Sequence, residues 1–202
     1  MVNELSVVRG SETRLAGTRR DPEATRADLI GAARKEFEER GFDATQSNKI
    51  ARRAGYAPQT FYRHFTDKVD ILLAVYADWV AEEQNALAAA GSMRQAARAI
   101  LDHHRASLRF RRALRALTIA DERVRAARAE TRVALMAYLR KRAPHIADMS
   151  EARLARSLFV LERVADACVE GEFADLKISP ETAEEQFSAC LRQEFGFPPK
   201  IS

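Results

Sequence analysis

Between Ala57 and Phe65 the chain reads Ala-Pro-Gln-Thr-Phe-Tyr-Arg-His-Phe, and from Gln59 to His64 every residue except Phe61 carries a hydrogen-bonding side chain. Phe61 and Phe65 stand four positions apart, so on a helix they share one face. Advancing about 100° per residue puts Gln59 and Arg63 nearly opposite that face, Thr60 and His64 along one edge and Tyr62 along the other. Such a surface has a definite chemistry. Gln offers paired hydrogen bonds to the edge of adenine and Arg to that of guanine, while hydroxyl and imidazole groups at the flanks reach phosphate oxygens. Gln59 and Arg63 are therefore the expected base readers. The plain alternative is the solvated side of an amphipathic helix. Local charge argues against it: from Ala44 to Lys68, the bases Lys49, Arg52, Arg53, Arg63 and Lys68 face only Asp67, an excess of four.

No other constellation competes. The chain has no glycine-rich phosphate loop, no Gly-x-Ser-x-Gly elbow and no HExxH, so an enzyme would have to assemble its site from scattered residues. Asp102-His103-His104 is the one cluster suited to metal binding or proton transfer, but adjacent helical positions diverge by about 100°. Cys168 and Cys190 form no CxxC pair and read as reduced, partly buried thiols. The expectation is a non-enzyme with no cofactor and no metal site.

The elements that must position Gln59 and Arg63 are helices. Asp21, Pro22 and Glu23 open a helix that Gly41 closes after Arg40, with Ile30, Ala33 and Phe37 on one face. A short helix from Ser47 to Arg53 turns inward with Ile50 and Ala54 and ends at Gly55, and the segment from Pro58 is a second short helix. Thr66 or Asp67 caps a longer helix to about Ala90. Ser92 with Gln95 opens another through about Phe110, and a short one follows to about Leu117. Further helices span Glu122 to Ala143, Ser150 to Glu170 and Ser179 to Phe195, bounded by Pro144, Gly171, Gly196 and Pro198. About nine helices result, an all-α chain with no convincing strand. Two short helices around a glycine turn, backed by a longer one, form a helix-turn-helix.

Composition agrees with this reading. The chain has 202 residues with 33 Lys+Arg and 29 Asp+Glu, 47% hydrophobic residues, eight Gly and six Pro. That excludes a wholly disordered or all-β protein, and the hydrophobic content suffices for one or two cores. The most apolar stretch, Ile71 to Val80, holds Asp78 and falls short of the roughly 20 residues a membrane helix needs. With no secretory signal at the start, the expected location is the cytoplasm. The net charge of +4 is unevenly spread. Residues 94–142 carry 14 Lys+Arg against four Asp+Glu, whereas residues 162–194 carry nine acids and three bases. An acidic C-terminal end repels phosphate, so nucleic acid belongs at the N-terminal end or the middle.

Taken together, Gly41-Phe42-Asp43-Ala44-Thr45, Lys49-Ile50-Ala51-Arg52-Arg53-Ala54-Gly55, Thr60-Phe61-Tyr62-Arg63-His64-Phe65, Lys68 and Ile71-Leu72-Leu73 closely resemble the DNA-binding domain of TetR-family transcriptional regulators, over about residues 21–75. The resemblance implies an all-α homodimer with an N-terminal DNA-binding domain and a larger C-terminal domain for ligand binding and dimerisation. It places Thr45 and Ser47 near phosphate at the start of the first short helix. Thr60, Tyr62, His64 and Lys68 fall at family positions that contact the DNA backbone. Ala57 and Pro58 depart from the family pattern of Ser followed by Lys, Arg or a small residue, and Gln59 replaces a residue that is often small, so the operator sequence does not carry over. Pro58 is counted with the DNA-facing set by position.

The expected division is a flexible basic arm at 1–20, a helix-turn-helix domain at 21–66 and a C-terminal domain at 67–202, with the helix at 67–90 connecting the two. Arg14, Arg19 and Arg20 of the arm either enter a minor groove or belong to a tail that touches nothing. Leu154, Leu158 and Leu161, with Phe187 and Leu191, recur at helical spacing and are the expected dimer surface; the same stripes equally suit packing inside one subunit. Phe110, Met136, Tyr138 and Phe159 are the candidate effector-lining residues, with core as their alternative role. The arginine-rich middle suits an anionic effector or pairing with acids of the last helices. The expected partners are a double-stranded DNA operator, a second copy of the chain and a small-molecule effector, with no membrane. The functional expectation is a ligand-responsive repressor released from a palindromic operator, with activation allowed by the same geometry. The alternative is a helical small-molecule-binding protein or enzyme without DNA binding.

Overall fold

The computed structural model describes residues 21–142 and 144–195. The expected arm with Arg14, Arg19 and Arg20, and the stop at Gly196 and Pro198, lie outside the described residues. Among the described residues the elements are helical with no strand: α1 (Pro22–Arg40), α2 (Ser47–Arg53), α3 (Pro58–His64), α4 (Lys68–Ala88), α5 (Met93–Ala106), α6 (Leu108–Ala120), α7 (Glu122–Arg142), α8 (Pro144–Ala147), α9 (Glu151–Glu170), α10 (Glu172–Asp175) and α11 (Pro180–Phe195). The nine expected helices are there, and two single-turn helices, α8 and α10, join them. No amphipathic pattern announces a single turn, because four residues are too few to show a period.

Local signals set most of the ends. The Asp21 carboxylate accepts from the Glu23 amide at 3.0 Å, Asp67 from Asp70 at 2.8 Å, Ser92 from Gln95 at 3.2 Å and Ser150 from Arg153 at 3.3 Å. The Gln95 side chain reaches back past the cap and accepts from the Gly91 amide at 2.9 Å. Gly171 ends α9 at φ +88°, a left-handed conformation that costs glycine little. The break between α5 and α6 falls at Ser107, three residues before the expected Phe110. Ser107 is buried and gives α6 no side-chain cap; an acceptor for its first turn comes from Glu38 of α1.

Two apolar cores organise the packing. One gathers Leu29, Ile30, Ala33 and Phe37 of α1, Ile50 and Ala51 of α2, Phe61, Phe65 and the inner face of α4, and extends to Phe110, Leu114 and Val124. The other gathers Ala97 and Leu101 of α5, Ile146 of α8, Leu154, Leu158, Leu161 and Ala165 of α9, and Phe187, Leu191 and Phe195 around α11. α4 runs from the first core toward α5, so a shift of α4 is felt by α1. No described helix is long and apolar enough to cross a membrane.

Candidate nucleic-acid interface

A seven-residue helix does not persist alone in water, so α3 owes its order to what it buries. Phe61 is wholly buried and Phe65 nearly so, their ring centroids 5.7 Å apart, and the Arg26 guanidinium lies 5.0 Å from the Phe65 ring. With that side fixed, Gln59, Tyr62 and Arg63 face solvent, Tyr62 at 59% exposure, while Pro58, Thr60 and His64 are half-buried. Five of these six side chains, all but Pro58, are polar, and they lie on the side of α3 away from Phe61 and Phe65. Ala57, the residue preceding α3, contributes no side-chain cap.

α2 packs against the same core through Ile50 and Ala51, with Ser47 half-buried in its first turn. Its outer side carries Lys49 and Arg52, both exposed and without an ion pair among the described residues. They entered the sequence reading only as charge. The rotation applied to α3, started from Ile50, is the signal that singles them out. Arg53 has a different place: it donates to Glu36 at 2.8 Å and grips Glu39, holding the Glu39 carboxyl below the usual range and binding α2 to α1.

Two residues expected at phosphate are turned inward. Thr45 is 2% exposed, and its hydroxyl donates to the Gly41 carbonyl at 2.7 Å and lies 3.3 Å from that of Glu36. The Lys68 ammonium reaches the carbonyls of Phe42 at 2.6 Å, Thr45 at 3.0 Å and Asp43 at 3.4 Å, and sits 4.1 Å from the Phe42 ring. Burial lowers its pKa. The physical reason is that the loop between α1 and α2 turns several backbone carbonyls inward, where they need donors. Thr45 and Lys68 supply them and so fix α2 on α1 and α4.

The effector candidates do not converge on one cavity. Phe110 is in the first core, Met136 packs on the second, and Tyr138 and Phe159 are 46% and 55% exposed, with the Arg132 guanidinium 5.0 Å from the Phe159 ring. Ion pairs occupy the space between α6, α7 and α9. Arg111 and Arg115 meet Asp166 at 2.6 and 2.7 Å, Arg115 also meets Glu170, and Arg128 and Arg132 meet Glu162 at 2.9 and 2.7 Å. These four arginines of the basic middle are thus paired with acids of α9. Beside these, His104 is buried with Nε2 2.7 Å from Glu83, and Trp79 Nε1, His104 Nδ1 and Arg111 Nε are buried without a hydrogen-bond partner among the described residues.

Asp102, His103 and His104 point to three different partners: Arg105, the Trp79 carbonyl and Glu83. Among the described residues no group of three His, Cys, Asp or Glu is placed to hold a metal ion. The expected dimer residues Leu154, Leu158, Leu161, Phe187 and Leu191 are all 7% exposed or less and lie in the second core of their own subunit. Periodicity marks an apolar face without saying which partner covers it. The outward side of α9 instead presents Ala152, Ala155, Phe159 and Val160, flanked by Arg156 and Arg163, around a shallow open hollow that the half-buried Val164 also lines.

Residues 29–75 match the family described as bacterial regulatory proteins, tetR family. Among solved structures the chain is similar to a protein described as a TetR-family transcriptional regulator from Rhodococcus sp., with 19% identity over 85% of this chain and 99% of that one and a TM-score of 0.64. It is similar to Salmonella enterica GusR, with 16% identity over 89% and 99% of the two chains and a TM-score of 0.62. It is also similar to the fatty acid degradation regulator FadR from Bacillus halodurans, with 14% identity over 86% and 96% and a TM-score of 0.56. At these identities the likeness is one of fold. No match was found among curated protein sequences.

Proposed function

We propose that this chain, a TetR-family transcriptional regulator, is a repressor that binds a palindromic operator as a homodimer and leaves it when a small-molecule effector binds its C-terminal part. The observation that carries this reading is the outward face of α3, where Gln59 and Arg63 are exposed and without a side-chain partner among the described residues, opposite the buried Phe61 and Phe65. In this reading α3 lies in the major groove, with Gln59 and Arg63 on base edges. Tyr62, Thr60 and His64, with Pro58 beside them, line the backbone. Ser47, Lys49 and Arg52 of α2 meet phosphates on the other side of the groove. Thr45 and Lys68 act from inside, holding α2 and α3 at the correct angle.

Residues 21–66 serve as the DNA-binding domain and 67–202 as the effector and dimer domain, with α4 shared between them. The outward side of α9, centred on Phe159 and Val160, supports the role of dimer contact. The unpartnered donors of Trp79 and Arg111 support an effector that carries oxygen acceptors, lodged where α4, α5, α6 and α9 meet. Two-fold related α3 helices must sit about 34 Å apart, or a multiple of this, to dock together. A small rotation of each subunit therefore releases the DNA. The reaction is binding alone, and its setting is the cytoplasm.

Fluorescence anisotropy with duplex DNA at graded salt tests the reading. Wild-type protein should bind with an affinity that falls steeply as salt rises. DNA binding that is absent at low ionic strength would favour a helical ligand-binding protein instead.

A further inference from the structure

Helix ends carry unpaired backbone groups, amides at the N-terminus and carbonyls at the C-terminus, and these must find partners. α6 opens at Ser107 without a side-chain cap of its own. The partner comes from α1: the Glu38 carboxylate accepts from the Phe110 amide at 3.0 Å. The exchange is mutual, because the Arg109 guanidinium donates to the Glu39 carbonyl and lies 3.4 Å from that of Glu38 at the C-terminal end of α1. An anion thus sits at the positive end of α6 and a cation at the negative end of α1, so both helix dipoles favour the junction.

Both sides of this junction lead onward. The last turns of α1 hold α2 through Arg53 on Glu36 and Glu39. The residues following Arg109 hold α9, through Arg111 and Arg115 on Asp166. One continuous set of contacts therefore runs from α9 through α6 and α1 to the helix-turn-helix. We propose that the reciprocal cap of Glu38 and Arg109 determines the half-site spacing the dimer accepts, by fixing α3 relative to the two-fold axis. This rests on the reading of the chain as a dimeric operator-binding regulator.

The test uses the full chain and a palindrome selected from random DNA, with its centre lengthened or shortened by one or two base pairs. Wild type should favour one spacing. Glu38→Ala and the milder Arg109→Ala, which removes an exposed guanidinium, should flatten that preference by about tenfold, the scale of a helix cap. Glu38→Gln keeps an oxygen for the Phe110 amide and should retain most of the preference. Arg34→Ala, which breaks the tie of α1 to Glu82 on α4 but leaves the Phe110 amide its Glu38 acceptor, serves as the comparison. An unchanged spacing profile in Arg109→Ala and Glu38→Ala would overturn the proposal, as would broadening confined to Arg34→Ala. Loss of a palindrome in wild type itself would instead overturn the regulator reading.

Discussion

Arg63 and Lys68 are both basic and five residues apart, yet their surroundings give them opposite roles. Arg63 is exposed and has no ion pair among the described residues, so Arg63→Ala should cost about 1–3 kcal/mol on the preferred operator and relax the preference at one base position, measured by competition with single-base variants. Lys68 is committed to three carbonyls. Lys68→Met should lower the unfolding free energy by about 1–3 kcal/mol and weaken all DNA sequences together, because the loop carbonyls lose their donor. The slope of log affinity against log salt should stay at the wild-type value; a slope smaller by about one would return Lys68 to the phosphates. His104 gives a pH signature. Burial lowers its pKa below the ordinary value of 6.5, against the opposing pull of Glu83, and Arg111 acts with burial while Asp166 acts with Glu83. The unfolded chain takes up this proton near 6.5 and the folded one only at lower pH, so the contribution is present above 6.5 and lost as pH falls. The thermal midpoint should therefore drop less between about pH 7 and 5 in His104→Gln than in wild type; parallel curves would contradict this.

At the scale of elements, α6 and α9 are joined by buried charge, and buried and exposed pairs should behave differently. Asp166→Ala leaves Arg111 unpaired in the interior and should cost about 3–5 kcal/mol in urea unfolding. Glu172→Ala removes a partner of the exposed Arg163 and should leave stability nearly unchanged. The helices themselves were largely legible in the sequence because their signals are local: Asp21-Pro22, Asp67, Ser92 with Gln95, Ser150 and Gly171 each act within a turn or so of where they stand. The outward face of α3 was legible for the same reason, since Phe61 and Phe65 fix its rotation. What was not legible depended on distant partners. The break at Ser107 is completed by Glu38, far away in the chain, and the inward turn of Thr45 and Lys68 answers to loop carbonyls that no spacing reveals. The same holds for the stripes of α9 and α11, whose apolar character was plain but whose partner was not.

For the whole molecule, the net charge of +4 matters less than its distribution. Arg111, Arg115, Arg128 and Arg132 are spent on acids of α9, and Arg53 on α1, which leaves Lys49, Arg52 and Arg63 as the outward cations of α2 and α3 among the described residues. Assembly should depend on the outward side of α9. Phe159→Glu should dissociate the dimer in sedimentation velocity while leaving the helical circular dichroism intact, whereas Leu158→Ala, one residue earlier and inside the core, should cost about 2–5 kcal/mol of stability. A Phe159→Glu protein that stays dimeric would move the interface elsewhere. The most direct test of a dimer reading DNA through paired α3 helices is selection of bound sequences from random duplex DNA. The expected result is a palindrome whose half-site centres lie about one helical turn apart or a multiple of it, with the preference at one position in each half-site relaxed in Arg63→Ala. Recovery of sequences with no common motif, or of a motif unchanged by Arg63→Ala, would contradict it.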